Sequence, residues 1–298
     1  MRGRVAVQAR KRLAAERAAQ RLASGLAAMC RTARRGILDE FPDQPHPLQS
    51  YQLADRAATV VTLLQLGLRS TLTRGLTALG SWSHLRTARL LTQWTRGTLA
   101  VRKPKREDWL DDLLGTADQY ARLLIDPPSA DLLRRIVGPA PDRLTRLVDP
   151  QDASRVVLDG ISRGQDRRQI GKELETLFGG WESAARRVAR TAGLQAATEM
   201  QLAASEEIPG LVIGYQILAV LDSRTRPEHR KRSGTVYYRN PRPGQKGMKE
   251  MPRPPIEPDG TISWNCRCFC SPVLPTDTPD DLSLAGALTY DPVAGRLV

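Results

Sequence analysis

The apolar residues of this chain change their spacing once, near residue 210, and that change limits the folds open to it. Up to Glu207 they recur mainly every three or four positions. Leu64, Leu68, Leu72, Leu76 and Leu79 keep this spacing and so share one face of a helix. Ala185, Val188, Ala189, Ala192, Ala196 and Ala203 make a narrower face of small residues, suited to close packing. Beyond Pro209-Gly210 the pattern gives way to Leu211–Leu221, rich in Val, Ile, Leu and Tyr and of strand length. The chain is therefore expected to be α+β, with a mostly helical N-terminal two thirds and a small β-containing C-terminal domain.

Breakers divide it further. Pro42, Pro45 and Pro47 stop any helix begun in the basic segment 2–35. Residues 48–100 read as two helices, because Gly67, Gly75 and Gly80 weaken the run. Helices are expected at 107–125, 129–137, 142–148 and 151–164, the last stopping at Gly164. Asp166 and Gln169 approximate a capping box for the next helix, which should end at Gly179-Gly180. Trp181 then begins a longer one, to Glu207. Thr235–Tyr238 and Phe269–Leu274 read as further strands, with a Pro/Gly-rich loop at 241–260 between them. The expected segments are a basic helical arm (1–47), a helical region (48–150), a domain at 151–275 and a tail (276–298).

The formal net charge is +13, which speaks to partners rather than fold and favours a polyanion: nucleic acid or an acidic protein surface. Residues 2–35 carry ten Arg or Lys against one acid, Glu16, and read either as a basic amphipathic helix or as a solvated tail. No signal peptide is visible, and the most apolar run, Ala57–Leu68, is too short and too polar to span a bilayer.

Three of the four cysteines, Cys266, Cys268 and Cys270, fall within five residues, whereas Cys30 stands apart. A secreted disulfide framework would spread them, so the cluster points to a reduced compartment or to a metal.

Several short motifs occur in order. Gly160-Ile161 precedes the helix from Asp166, and Arg186-Arg187-Val188-Ala189-Arg190-Thr191 lies in the next one. Gly214-Tyr215, then Ala219-Val220-Leu221-Asp222-Ser223-Arg224-Thr225 and His229, form a strand and turn. Gly234-Thr235-Val236-Tyr237, Pro254-Pro255, Asn265-Cys266-Arg267-Cys268 and Pro272-Val273 follow. Together they resemble the Mu F-like head-morphogenesis domain of tailed phages, with its G-Y-x-W-x-A-x-L-D-x-R-T, N-C-R-C and P-V signatures. The resemblance runs from Val157 to Val273. Ala192 departs from it, standing where that family usually has Glu.

The resemblance implies a minor capsid protein of low copy number, acting in procapsid assembly near the portal and located inside the virion after assembly in the host cytoplasm. The partners it implies are the portal protein, capsid or scaffold proteins, and packaged DNA bound without sequence preference. The stretch Arg224–Arg253 holds ten Arg or Lys and two Glu. Arg230, Lys231, Arg232, Arg239 and Arg242 are its candidate contacts to DNA or an acidic partner; the alternative is a solvated loop. Asp222, Arg224, Thr225, His229, Gly234, Asn265, Cys266, Arg267 and Cys268 are the motif positions. Asp222 suits a turn cap, and an Arg267 side chain opposite the cysteines is placed to pair with it.

Many members of the family resemble a zinc site, with C-x-x-C in the turn and H-x-x-C-x-C at the end. Here Arg226 fills one Cys position, and Ser263 or Trp264 the region of the second His. His229, Cys266, Cys268 and Cys270 remain as a candidate set for zinc. The other reading has no cofactor, with the cysteines packed as small apolar groups. If 266, 268 and 270 lay in one strand they would share a face, so three of them as ligands would need a sharp turn of the chain. An alternative function, a metal-dependent nuclease or toxin-type enzyme carrying such a module, lacks support. The acids have no metal-ligand spacing, and neither a Ser/His/Asp nor a Gly-rich phosphate signature occurs.

Overall fold

The computed structural model describes residues 2–101, 135–206 and most of 211–277, with short pieces at 290–291 and 296–297; Val220, Asp222, Arg224, Asn265 and Thr276 are outside the described set. The helices expected at 107–125 and, for the most part, at 129–137 also lie outside it. The order is α1 (Arg2–Asp39), a 3-10 turn (Pro47–Gln49), α2 (Ser50–Val101), α3 (Pro139–Leu147), α4 (Pro150–Ser162) and α5 (Arg167–Glu206). Then come β1 (Gly214–Leu218), α6 (Pro227–Arg232), β2 (Val236–Tyr238), β3 (Lys246–Gly247) and β4 (Phe269–Val273), with β5 (Tyr290–Asp291) and β6 (Arg296–Leu297) as a separate pair. The α+β expectation holds: helices fill the N-terminal two thirds and a four-stranded sheet the C-terminal region.

The chain forms two compact units. One takes in residues 18–77 and the described part of 134–192; the other takes in the described residues of 1–17, 78–133 and 193–298.

In the helical unit, α1 contributes Ala19, Ala23, Leu26, Ala27 and Cys30 to the interior, and α2 contributes Val61, Leu64, Leu68, Leu72 and Leu76. From Arg12 onward the basic segment is thus a packed helix, not a solvated tail. Its arginines are partly used within the unit: Arg31 pairs with Glu182 at 2.7 Å and Arg34 with Glu175 at 3.0 Å. The two helices expected at 48–100 are one. The glycines are places of close approach: a β-carbon at Gly75 would stand 2.6 Å from Leu22 Cδ1, and one at Gly67 2.7 Å from Met29 Cε. Likewise α5 runs straight through Gly179-Gly180. Buried Phe178 and Trp181, with ring centroids 4.6 Å apart, flank the pair and hold the helix together across it. Such packing outweighs the roughly 1 kcal/mol that each glycine costs. Gly164, at φ +69°, ends α4 as expected. The Asp166–Gln169 capping box closes reciprocally, at 2.8 and 3.0 Å.

In the other unit the sheet order is β3-β2-β1-β4. Central β1 pairs antiparallel with β2 (Tyr215 opposite Tyr237) and with β4 (Ile217 opposite Cys270). β1 and β4 are both buried along their whole length. Tyr215, Ile217, Tyr237, Cys266, Cys268 and Cys270 share one core with Leu202 of α5 and with Ala88 and Leu91 of α2. Buried Gln201 of α5 donates to the Cys270 carbonyl at 2.6 Å. At Gly214 a β-carbon would collide with the Tyr237 carbonyl, so the β1–β2 approach requires glycine there. The segment 241–260, read from sequence as a featureless loop, contains β3, a 3-10 turn and a bridge between Arg253 and Ile256.

Candidate metal centre and basic surface

After β1 the chain bends at Ser223 and Thr225 and enters α6. Asp222, Arg224 and Asn265 lie outside the described residues, and with them the expected Asp222–Arg267 pair. Thr225 and Arg267 are half-buried. Gly234, φ +90°, occupies the left-handed region that a β-carbon disfavours. Its N–H donates to the Ile217 carbonyl at 2.8 Å, and its own carbonyl accepts from Gln216 Nε2 at 3.0 Å. These bonds return the end of α6 to β1 and fix where its side chains stand.

The second limb precedes β4. Ser263 N–H donates to the Pro255 carbonyl at 2.8 Å and Cys266 N–H to the Ser263 carbonyl at 3.1 Å, so Cys266 folds back on Ser263. Cys268 N–H closes on Cys266 Sγ at 3.4 Å. The two thiols are thus brought side by side ahead of β4, whereas Cys270 lies within the strand.

The limbs meet at His229, which is buried. Its Nδ1 lies 3.2 Å from Cys268 Sγ and 3.6 Å from Cys266 Sγ. One ligand atom from each of these three residues falls within 4.8 Å of the others. Beside them the Arg226 guanidinium donates to Ser263 Oγ and, at 3.1 Å, to the Trp264 carbonyl. The resemblance puts a Cys at position 226 and the second His in the region of Ser263 or Trp264; here Arg226 hydrogen-bonds to both of those residues.

The far side of the ring is equally occupied. His229 Nε2 lies 3.4 Å from Glu257 Oε1 and 3.2 Å from Ser263 Oγ. Arg232 grips both oxygens of Glu257, one at 3.0 Å. The bond from Arg232 holds the Glu257 carboxyl below the usual carboxylate range, against the opposing effect of burial. The two thiols shift in opposite directions. The hydrogen bond from Cys268 pulls Cys266 down, and the same bond pushes Cys268 up.

These donors suit zinc, which takes thiolate and imidazole ligands. Buried Arg12 of α1 supports the fit. It lies within electrostatic reach of Cys266, Cys268 and Cys270, and its Nε and Nη2 find no hydrogen-bond partner among the described residues. Its Nη1 donates to the Leu194 carbonyl at 3.5 Å, and Glu16 is also within electrostatic reach; a buried cation beside thiols suits a site where those thiols carry negative charge. Cys270, the fourth candidate ligand, is not in the three-residue cluster. It sits in β4, and burial pushes its thiol up to about 12. Sequence reading missed Glu257 and Arg12. Glu257 carries a weak signal as an acid in the loop between the two motif halves, whereas nothing local marks Arg12.

The basic candidates divide. Arg230 and Lys231 on α6 and Arg242 beyond β2 are exposed. Arg232 is held by Glu257, and the Arg239 guanidinium lies 6.0 Å over the Tyr215 ring.

Residues 151–271 match the family model for Phage Mu protein F like protein. The chain carries a Mu F-like domain. Its match spans α4, α5, the knot of α6 against the Ser263–Cys268 turn, and the sheet up to Ser271. No curated protein and no solved structure matches the chain. The Mu F-like family comprises phage head proteins, so the match supports a head-morphogenesis protein with capsid-related partners and virion association. Among the described residues no helix is long and apolar enough to cross a membrane.

Proposed function

We propose that the protein is a minor capsid component that acts in procapsid assembly near the portal, contacts portal, capsid or scaffold proteins, and faces packaged DNA. The observation that carries this reading is the Mu F-like match over 151–271, whose two motif halves meet at His229. The net charge of +13 and the exposed Lys231 and Arg242 favour a polyanionic partner. Mass spectrometry of purified virions, with copy number referenced to the major capsid protein, tests it. A few copies per head are expected; absence from heads and from procapsids alike would refute it.

We also propose that His229, Cys266 and Cys268 hold zinc, which when bound would tie α6 to the turn before β4. Small domains with short strands gain folding stability from such a clip. Elemental analysis of protein purified without chelator should find zinc near one equivalent; a metal-free preparation that takes up none on addition would end this reading.

A further inference from the structure

We infer that Glu257, gripped by Arg232, is the positioning carboxylate of the His229–Cys266–Cys268 centre, a role that rests on the zinc reading above. A neutral imidazole carries one N–H, and a carboxylate can only accept. Nε2 faces Glu257 Oε1 at 3.4 Å and Ser263 Oγ at 3.2 Å. Ser263 accepts from Arg226 and gives its own hydroxyl hydrogen to Glu257, so both neighbours present lone pairs and the hydrogen belongs on Nε2. The lone pair then sits on Nδ1, the nitrogen facing Cys268 Sγ at 3.2 Å and Cys266 Sγ at 3.6 Å. The opposite tautomer would set the Nε2 lone pair against the carboxylate and turn an N–H toward the place where a cation must sit. Ligating histidines elsewhere are oriented through a carboxylate on the second nitrogen in the same way, and loss of that partner weakens metal binding.

Glu257 is itself well placed for this. Arg232 donates to both of its oxygens, so the carboxylate plane is fixed and Oε1 serves the guanidinium and the imidazole together. Its backbone is fixed as well. Glu257 N–H donates to the Thr261 carbonyl at 2.9 Å, and Asp259 closes the turn by accepting from Thr261 N–H at 2.9 Å. Arg232 and His229 lie three residues apart on α6, so one short helix supplies both the ring and the cation that orients its partner.

The test uses the full chain. Zinc affinity is measured by chelator competition, and cobalt(II) substitution reports the thiolate and imidazole ligand field. Glu257→Gln should keep one site but weaken zinc about 10- to 100-fold, while Glu250→Gln, an exposed acid in the same region, should not. If wild type binds zinc and Glu257→Gln binds it equally tightly, the positioning role is overturned and the zinc reading stands. If wild type takes up neither zinc nor cobalt, both fall. A second measurement needs no variant. The chain has three histidines, so nitrogen-15 imidazole shifts of the metal-free protein can be assigned to His229. The Nε2–H tautomer is expected, and an Nδ1–H tautomer would overturn the inference even if Glu257→Gln failed to fold.

Discussion

His229 Nδ1 lies 3.2 Å from Cys268 Sγ, although the two residues are 39 positions apart in the chain. Only the fold brings them together: α6 hangs from β1 through the Gly234 turn, while Cys268 stands at the entrance to β4, on the other edge of β1. The contact therefore joins the two antiparallel neighbours of the central strand from outside the sheet.

If zinc occupies this junction, it stabilises the native state by mass action, by about 2.7 kcal/mol at a free concentration one hundred times the dissociation constant. Wild type should melt higher with zinc than with a chelator. Cys266→Ser and Cys268→Ser should abolish that difference, and Cys270→Ser should preserve it, because Cys270 is outside the three-residue cluster. Equal loss of the difference in all three variants would contradict the assignment. Differential scanning fluorimetry is sufficient.

The helix glycines should respond with opposite signs. At Gly179 and Gly180, both exposed, an added β-carbon meets nothing within 4 Å. Alanine there should stabilise by roughly 1 kcal/mol per site through helix propensity alone. At Gly75 a β-carbon would stand 2.6 Å and 2.8 Å from the two δ-carbons of Leu22 and 3.2 Å from its γ-carbon. No rotation of the methyl groups alone clears all three, so Gly75→Ala should cost about 1–3 kcal/mol by overpacking. Leu22→Ala in the Gly75→Ala background should recover part of it. Urea denaturation of the four variants reads these signs directly.

These glycines mark where the sequence stops being legible. The leucine ladder, the Asp166–Gln169 cap and the stop at Gly164 could be read from residue order, because each depends on neighbours within one turn of chain. The continuity of α2 and α5 could not. Whether a glycine ends a helix or admits a neighbouring side chain depends on what packs against it, and Leu22 lies 53 positions from Gly75. The site divides in the same way. His229, Cys266 and Cys268 were legible as ligand types at ligand spacing. The exclusion of Cys270 from their cluster, the Arg232–Glu257 pair and the packing of Arg239 on Tyr215 come from contacts between residues far apart in the chain.

The Gln201 bond to the Cys270 carbonyl, 2.6 Å and buried, ties α5 to β4. Gln201→Leu would leave that carbonyl without its side-chain partner in an apolar setting. A loss of about 1–3 kcal/mol is expected, the cost of an unsatisfied buried acceptor. Gln201→Glu should be worse, since a carboxylate cannot donate to a carbonyl. Chemical denaturation that placed Gln201→Leu at wild-type stability would show that the bond contributes nothing.

Stability should fall in acid through Glu257. Its carboxyl is held below the usual range by the bond from Arg232, so the folded state binds the proton less readily than the unfolded chain. The contribution is therefore present above the unfolded value, about 4.3 for Glu, and is lost as pH falls through the depressed folded value. Glu257→Gln should remove this part of the acid limb and leave the slope near neutrality unchanged. Denaturation midpoints between pH 2 and 6, compared for the two proteins without metal, decide it. An identical acid slope would mean that the Arg232–Glu257 pair is as well formed in the unfolded state.

Binding to nucleic acid should depend on the exposed cations and not on the inward ones. Each phosphate neutralised by a side chain releases condensed counterions, so the logarithm of affinity falls with the logarithm of salt by about 0.9 per contact on duplex DNA. Lys231 and Arg242 are exposed, whereas Arg232 grips Glu257 and Arg239 lies over Tyr215. Lys231→Ala with Arg242→Ala should weaken binding to duplexes of any sequence and lower the salt slope by about 2. Arg239→Ala should leave that slope unchanged and instead lower stability, because it removes a side chain packed on the ring of β1. Fluorescence anisotropy over a salt series gives both quantities. A slope that responds to Arg239 but not to Lys231 and Arg242 would place the DNA-facing surface elsewhere, most simply on the arginines of α1.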